Sequence, residues 1–227
     1  MWKYPRNRSR SAVTELDLPQ RCAAADGAPG TVIDNEILVA LYELWLFKTN
    51  GRVMPARRDF LPGDMIRQLP HVFLIDVLDL ACRFRSRLVG TGIVNCVGRD
   101  ATGKMVNADN YGAAAAGMNQ LFDLVCRLKR PVAKKGIVFH QRSRSWATVS
   151  ALLMPLSADG ANVDVIFGGM VRTGSSLRQP EPPEDDAIWL EAFADPEKGI
   201  LSDPIINGLT HGERLRQIHD RASVSAA

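Results

Sequence analysis

Apolar residues recur along this chain with two different periods, and the switches between them delimit its elements. Ile33, Ile37, Leu41, Leu44 and Trp45 fall at helical spacing up to Lys48, while Val39, Tyr42 and Leu46 add apolar groups on the opposite side. A helix apolar nearly all round is expected to bury two faces. Thr31 with Asp34 supplies a start signal, and Gly51 after Asn50 a stop. A connector follows to Pro70, with a short helix opening at Pro62 and turning Met65, Ile66 and Leu69 to one side. The period then shortens. Val72 to Leu78 is almost continuously apolar, and Cys82 to Val89 alternates. Cys82, Phe84, Ser86 and Leu88 share one face of that second strand, with Arg83, Arg85 and Arg87 on the other. The link Asp79-Leu80-Ala81 suits a hairpin.

Helical spacing returns at Asp109 or Asn110. Tyr111, Ala114, Ala115, Met118, Leu121, Phe122, Val125 and Leu128 form one stripe, which Pro131 ends. Three strands follow, Val132 to Gln141, Trp146 to Leu156 and Val163 to Arg172, joined by short polar links as a meander. The predicted fold is α+β: a five-stranded antiparallel sheet with flanking helices and an N-terminal helical extension. Residues 1–30 read as a basic, disordered tail, 31–70 as the helical extension, 71–173 as the sheet domain, and 174–227 as an acidic linker and weakly helical tail. Helix signals in that tail lie at 184–194 and 205–220.

Four stretches, in order, carry a resemblance. They are Met54-Pro55-Ala56-Arg57-Arg58-Asp59, then Leu69 to Val77, then Phe84 to Thr91, and finally Gly98-Arg99-Asp100-Ala101-Thr102-Gly103-Lys104. Together they resemble a family of bacterial stand-alone PAS-domain proteins, short chains with one PAS fold and no attached output domain. The resemblance implies a PAS-like fold, signalling and protein interaction. Ser86 departs from the pattern, where the family more often has an aromatic residue, and this implies extra space on the inner face of the sheet.

Composition narrows the rest. A net charge of +3 is too mild to argue for nucleic acid. The cluster Arg127, Lys129, Arg130, Lys134, Lys135, Arg142 and Arg144 lacks the interleaved aromatics that stack bases, so nucleic acid is disfavoured. Cys22, Cys82, Cys96 and Cys126 have no metal-like spacing with the four histidines, which points to no metal site and to a reducing, cytoplasmic setting. No apolar run approaches the ~20 residues of a membrane span.

No cofactor is expected. The second long helix has no histidine to ligate haem, and its Met118 and Cys126 read as core. Asn95-Cys96 is followed by Val97-Gly98 rather than by a flavin-photochemical segment, and Trp146 to Leu156 carries no Asn or Gln for a flavin ring. No nucleophile elbow is present, Asp76 reads as a buried acid satisfied by backbone amides or by a nearby arginine, and the chain is read as no enzyme. Gly168-Gly169, in mid-strand, signals a bulge or close backbone approach. The inward residues Phe84, Leu88, Tyr111, Met118, Phe122, Phe139 and Trp146 either fill the interior or line a ligand pocket. The expected function is a non-enzymatic sensory and interaction module that regulates a signalling protein by binding it. The alternative is a receptor for an apolar metabolite or a cyclic-nucleotide-type molecule. Val39, Tyr42 and Leu46 are the expected contact of a homodimer formed through the N-terminal helix.

Overall fold

The structure, a computed structural model, describes residues 31–78, 83–112, 114–140, 145–175, 201–202, 204–206, 209–211, 213–214 and 216–217. Thr31–Val32 form a short strand, β1, and the first helix, α1, runs over Glu36–Thr49. Asn35, not Thr31, caps it. The Asn35 side-chain oxygen accepts the Ile37 N–H at 3.0 Å, and Asn50 closes the helix in the left-handed conformation. Glu36 in the first turn and Lys48 in the last match the helix dipole.

Strands β2 (Val72–Val77), β3 (Phe84–Val89), β4 (Val132–His140), β5 (Ser145–Leu156) and β6 (Val165–Ser175) form the predicted five-stranded antiparallel sheet. Their order is β3-β2-β6-β5-β4, and a two-residue strand, β7 (Leu201–Ser202), adds to the β4 edge. The expected long second helix is two pieces, with a separate short helix ahead of them. Helix α2 (Thr91–Val97) follows β3, then α3 (Ala108–Tyr111), then α4 (Ala114–Leu128). Gly112 breaks the stripe with φ 56° and ψ −141°, a conformation open to glycine and almost nothing else.

The sheet is buried on both faces, which is why β2 reads as a nearly continuous apolar run, interrupted at Asp76. Helices α2, α3 and α4 cover the inner face over a core that includes Phe73, Phe84, Phe122 and Met170. Helix α1 and the connector cover the outer face over Leu74, Leu152, Met154 and Phe167. Gly169 lets α1 approach the outer face, and Gly168 makes room within the sheet for the Phe73 ring of the neighbouring strand. A Cβ on Gly169 would lie 2.6 Å from Leu41 Cδ1 and 2.8 Å from Leu38 Cδ2, and one on Gly168 would lie 2.2 Å from the Phe73 ring.

Two readings change with the C-terminal segment. Residues expected to be helical form β8 (Pro204–Ile206) and β9 (Leu209–Thr210), a hairpin whose first strand pairs parallel with β1. Helical residues follow from His211. His211 sits against α1, with Tyr42 Oη 2.7 Å from its Nδ1 and its ring 5.7 Å from Trp45. Arg214 pairs with Glu43 at 3.0 Å and lies over the Tyr42 ring. Tyr42 and Leu46, expected to face a second copy, are therefore buried in the chain's own outer core, and Val39 packs half-buried beside them. The signals at 184–194 and the tail 1–30 lie outside the described residues.

Candidate functional site

Two concave regions lie on opposite faces of the sheet. The inner one is a cavity of about 70 Å³ between β2, β3 and the helices. Tyr111, Met118 and Phe122 line it, as expected, together with Ser86, Arg99 and Met170. Phe84 is buried just beside it, its ring 5.3 Å from Phe122. Phe139 and Trp146 lie opposite each other in the β4–β5 register, but their side chains are outside the described residues.

Ser86 gives this cavity its polar feature. Its hydroxyl lies 2.6 Å from the Tyr111 hydroxyl, so the two small polar groups satisfy each other in an apolar wall. Burial pushes the Tyr111 phenol up, against the lowering effect of the Ser86 bond. Tyr111 is therefore a neutral hydrogen-bonding group. Cys96, on α2, packs half-buried against the same core. Burial raises its thiol, with Arg172 opposing, which is the reverse of what a reactive thiolate needs. Arg99 and the α2 residues Ile93 and Val97 were not read as lining residues, because α2 is a single short turn-like helix without a long periodic stripe.

Leu88 is not an inner residue. Leu74 pairs with Leu88 but Ile75 pairs with Ser86, so Arg87 is an extra residue in β3. This β-bulge resets the alternation, sending Leu88 to the outer face and Val89 to the inner one. Beside it, Asp76 is buried and takes both arginines of the strand: Arg85 at 2.8 Å and Arg87 through its Nε. The acid inside the first strand is thus a charge partner, as its sequence setting suggested. Of the basic cluster, Arg142 and Arg144 lie outside the described residues. Lys134 is buried and Arg127 pairs with Asp123 at 2.8 Å.

The outer concavity, about 80 Å³, lies between the connector and the β2–β3 end of the sheet. Val72, Leu74, Leu88 and Phe167 form its floor, and Phe60, Leu61, Met65 and Leu69 its wall. Three 3-10 turns build that wall: Arg57–Asp59, Pro62–Met65 and Leu69–His71. Carboxylates hold them. Asp59 accepts the Ala56 N–H at 2.8 Å and pairs with Arg52; Asp64 accepts the Leu61 N–H at 3.0 Å and pairs with Lys48 at 2.8 Å. The Ala56 N–H, then Arg52, lowers the Asp59 carboxyl below its ordinary value; for Asp64 the order is Lys48, then the Leu61 N–H.

Among the described residues, no group of three or more His, Cys, Asp and Glu side chains is placed to hold a metal ion, and no helix is long and apolar enough to cross a membrane. An antiparallel sheet in this order, with short helices on its inner face, defines a sensory-type α+β domain. The chain belongs to the PAS-domain family, whose pattern matches residues 34–171, more than half of its length. That match includes α1, so the N-terminal helix is part of the family's unit. No curated protein matches the chain.

Proposed function

We propose that this PAS domain is a non-enzymatic sensory and interaction module, cytoplasmic, which regulates a signalling protein by binding it. One observation carries the reading. Phe47, Val53, Leu61 and Ile66 are between 62 and 77% exposed, all on α1 and the connector. Several large apolar side chains left in water along one stretch of chain favour an interaction surface there. Neither Cys96 nor Cys126 is in a disulfide, which suits a reducing compartment. If two copies associate, exposed Phe47 is the better contact, since Tyr42 and Leu46 are already covered.

The test is crosslinking in the native host, comparing wild type with Phe47→Glu and Ile66→Glu. Both variants should stay folded and lose the captured partner. Equal capture by all three proteins would dismiss the exposed face as the contact. A second reading is a small-molecule receptor. The Ser86–Tyr111 hydroxyl pair and Arg99 at the inner cavity favour it, but about 70 Å³ is well below the ~300 Å³ at which ordinary ligand pockets begin. A ligand retained in native mass spectrometry would put this reading first. No haem or flavin is part of either, so the purified protein should be colourless.

A further inference from the structure

We infer that the outer concavity beside β3 is the seat of the partner, and that it takes an apolar side chain carried on an acidic protein segment. This rests on the interaction-module reading above and names the chemistry of what is bound. The shape sets the apolar part. The site is about 80 Å³ and lined by hydrophobic side chains, with Leu61, Ile66 and Leu88 left partly in water around it. A cavity of about 150 Å³ holds benzene, so this one has room for a single aliphatic anchor rather than for a cofactor or a nucleoside. Buried anchors of that kind carry most of the energy of protein contacts.

Charge sets the rest. The wall's own acids are already matched, Asp59 by Arg52 and Asp64 by Lys48. On the floor side, Asp76 is the single carboxylate shared by Arg85 and Arg87, which leaves one positive charge over. Arg57 lines the concavity and donates to the neutral Phe60 carbonyl at 2.9 Å, so its charge is not cancelled there. Arg58 and Arg67 stand exposed on the same connector. An apolar seat inside an unbalanced arginine rim fits carboxylates on the incoming segment, which arginine holds bidentately. A nucleic acid would also answer the charge, but it has no aliphatic side chain for the seat.

The experiment is selection of short peptides from a displayed random library on the full-length protein, in low salt. Selected peptides should be acidic around one or two aliphatic residues. Their affinity should fall roughly tenfold on Leu88→Ser or Leu61→Ser, and by a similar factor on the charge reversal Arg57→Glu. Added salt should weaken binding to wild type more than to Arg57→Glu. Neutral or basic winners, winners indifferent to Leu88→Ser, or no winners would overturn the inference. So would a wild-type dimer that Leu88→Ser dissolves, because a second copy would then occupy the seat. Loss of the crosslinked partner in Ile66→Glu alongside a failed selection would leave the interaction module standing and remove only this chemistry. Indifference in both experiments would remove both.

Discussion

Phe122 sits where the inner cavity, the α4 stripe and the Phe84 ring meet, and is 2% exposed. Truncation to alanine removes most of a buried ring next to a void that cannot collapse. Phe122→Ala should therefore cost ~3–5 kcal/mol, read from urea unfolding. An unchanged midpoint would mean the ring is not in the core. Ser86 and Tyr111 act on a smaller scale. Tyr111→Phe leaves the Ser86 hydroxyl buried without its partner, and Ser86→Ala does the same to the phenol. Each should cost ~1–3 kcal/mol. The double variant should cost less than the sum of the two, since no orphaned group remains. Strict additivity in that cycle would show that the 2.6 Å contact contributes nothing.

At the level of elements, the glycine pair in β6 makes room for α1 on one face and for the Phe73 ring of β2 on the other. Gly168→Ala would bring a Cβ to 2.7 Å from the Leu152 carbonyl and 2.2 Å from the Phe73 ring. Gly169→Ala would meet only the ends of Leu38 and Leu41. Backbone cannot turn aside as a leucine methyl can, so Gly168→Ala should be the costlier, with Gly169→Ala nearer ~1–3 kcal/mol. Reversed melting temperatures would contradict this packing. The close approach was readable, because paired glycines in mid-strand have few other uses. So were the five strands, whose period and turn residues agree. Leu88 was not readable from alternation, because a bulge is a register event between strands and Arg87 looks like any other outward residue. The break at Gly112 was masked by an apolar stripe that continues across it. The hairpin of β8 and β9 has a sequence signal in Asn207-Gly208, a dipeptide favoured in tight hairpin turns, but a weak helical periodicity over the same stretch competes with it. Tyr42 and Leu46, expected on a second face of α1, share one buried face with Leu38, Leu41 and Trp45. What covers that face lies more than 160 residues away in sequence, and pattern alone does not reveal it.

Across the whole molecule, the C-terminal segment meets the outer layer through His211 as well as through the Arg214–Glu43 pair. His211 is buried between Tyr42 and Trp45, and burial, helped by the charge of Arg130, lowers it from 6.5 to about 4. Above pH 6.5 the ring is neutral in both folded and unfolded chains, so the docked segment keeps its full stability. Between pH 6.5 and about 4 the unfolded chain binds the proton and the folded one resists it, so stability falls as pH falls through that window. At about 1.4 kcal/mol per pH unit, the loss has a ceiling of about 3 kcal/mol. His211→Gln keeps a polar side chain beside the Tyr42 hydroxyl and does not titrate. Its melting temperature should start lower at neutral pH, yet decline less than the wild type's between pH 6.5 and 4.5. Carboxylates such as Asp59 and Asp64 titrate in both proteins and cancel in the comparison. Parallel declines would mean that the proton is taken up without undocking the segment, and that His211 does not couple the C-terminal strands to α1.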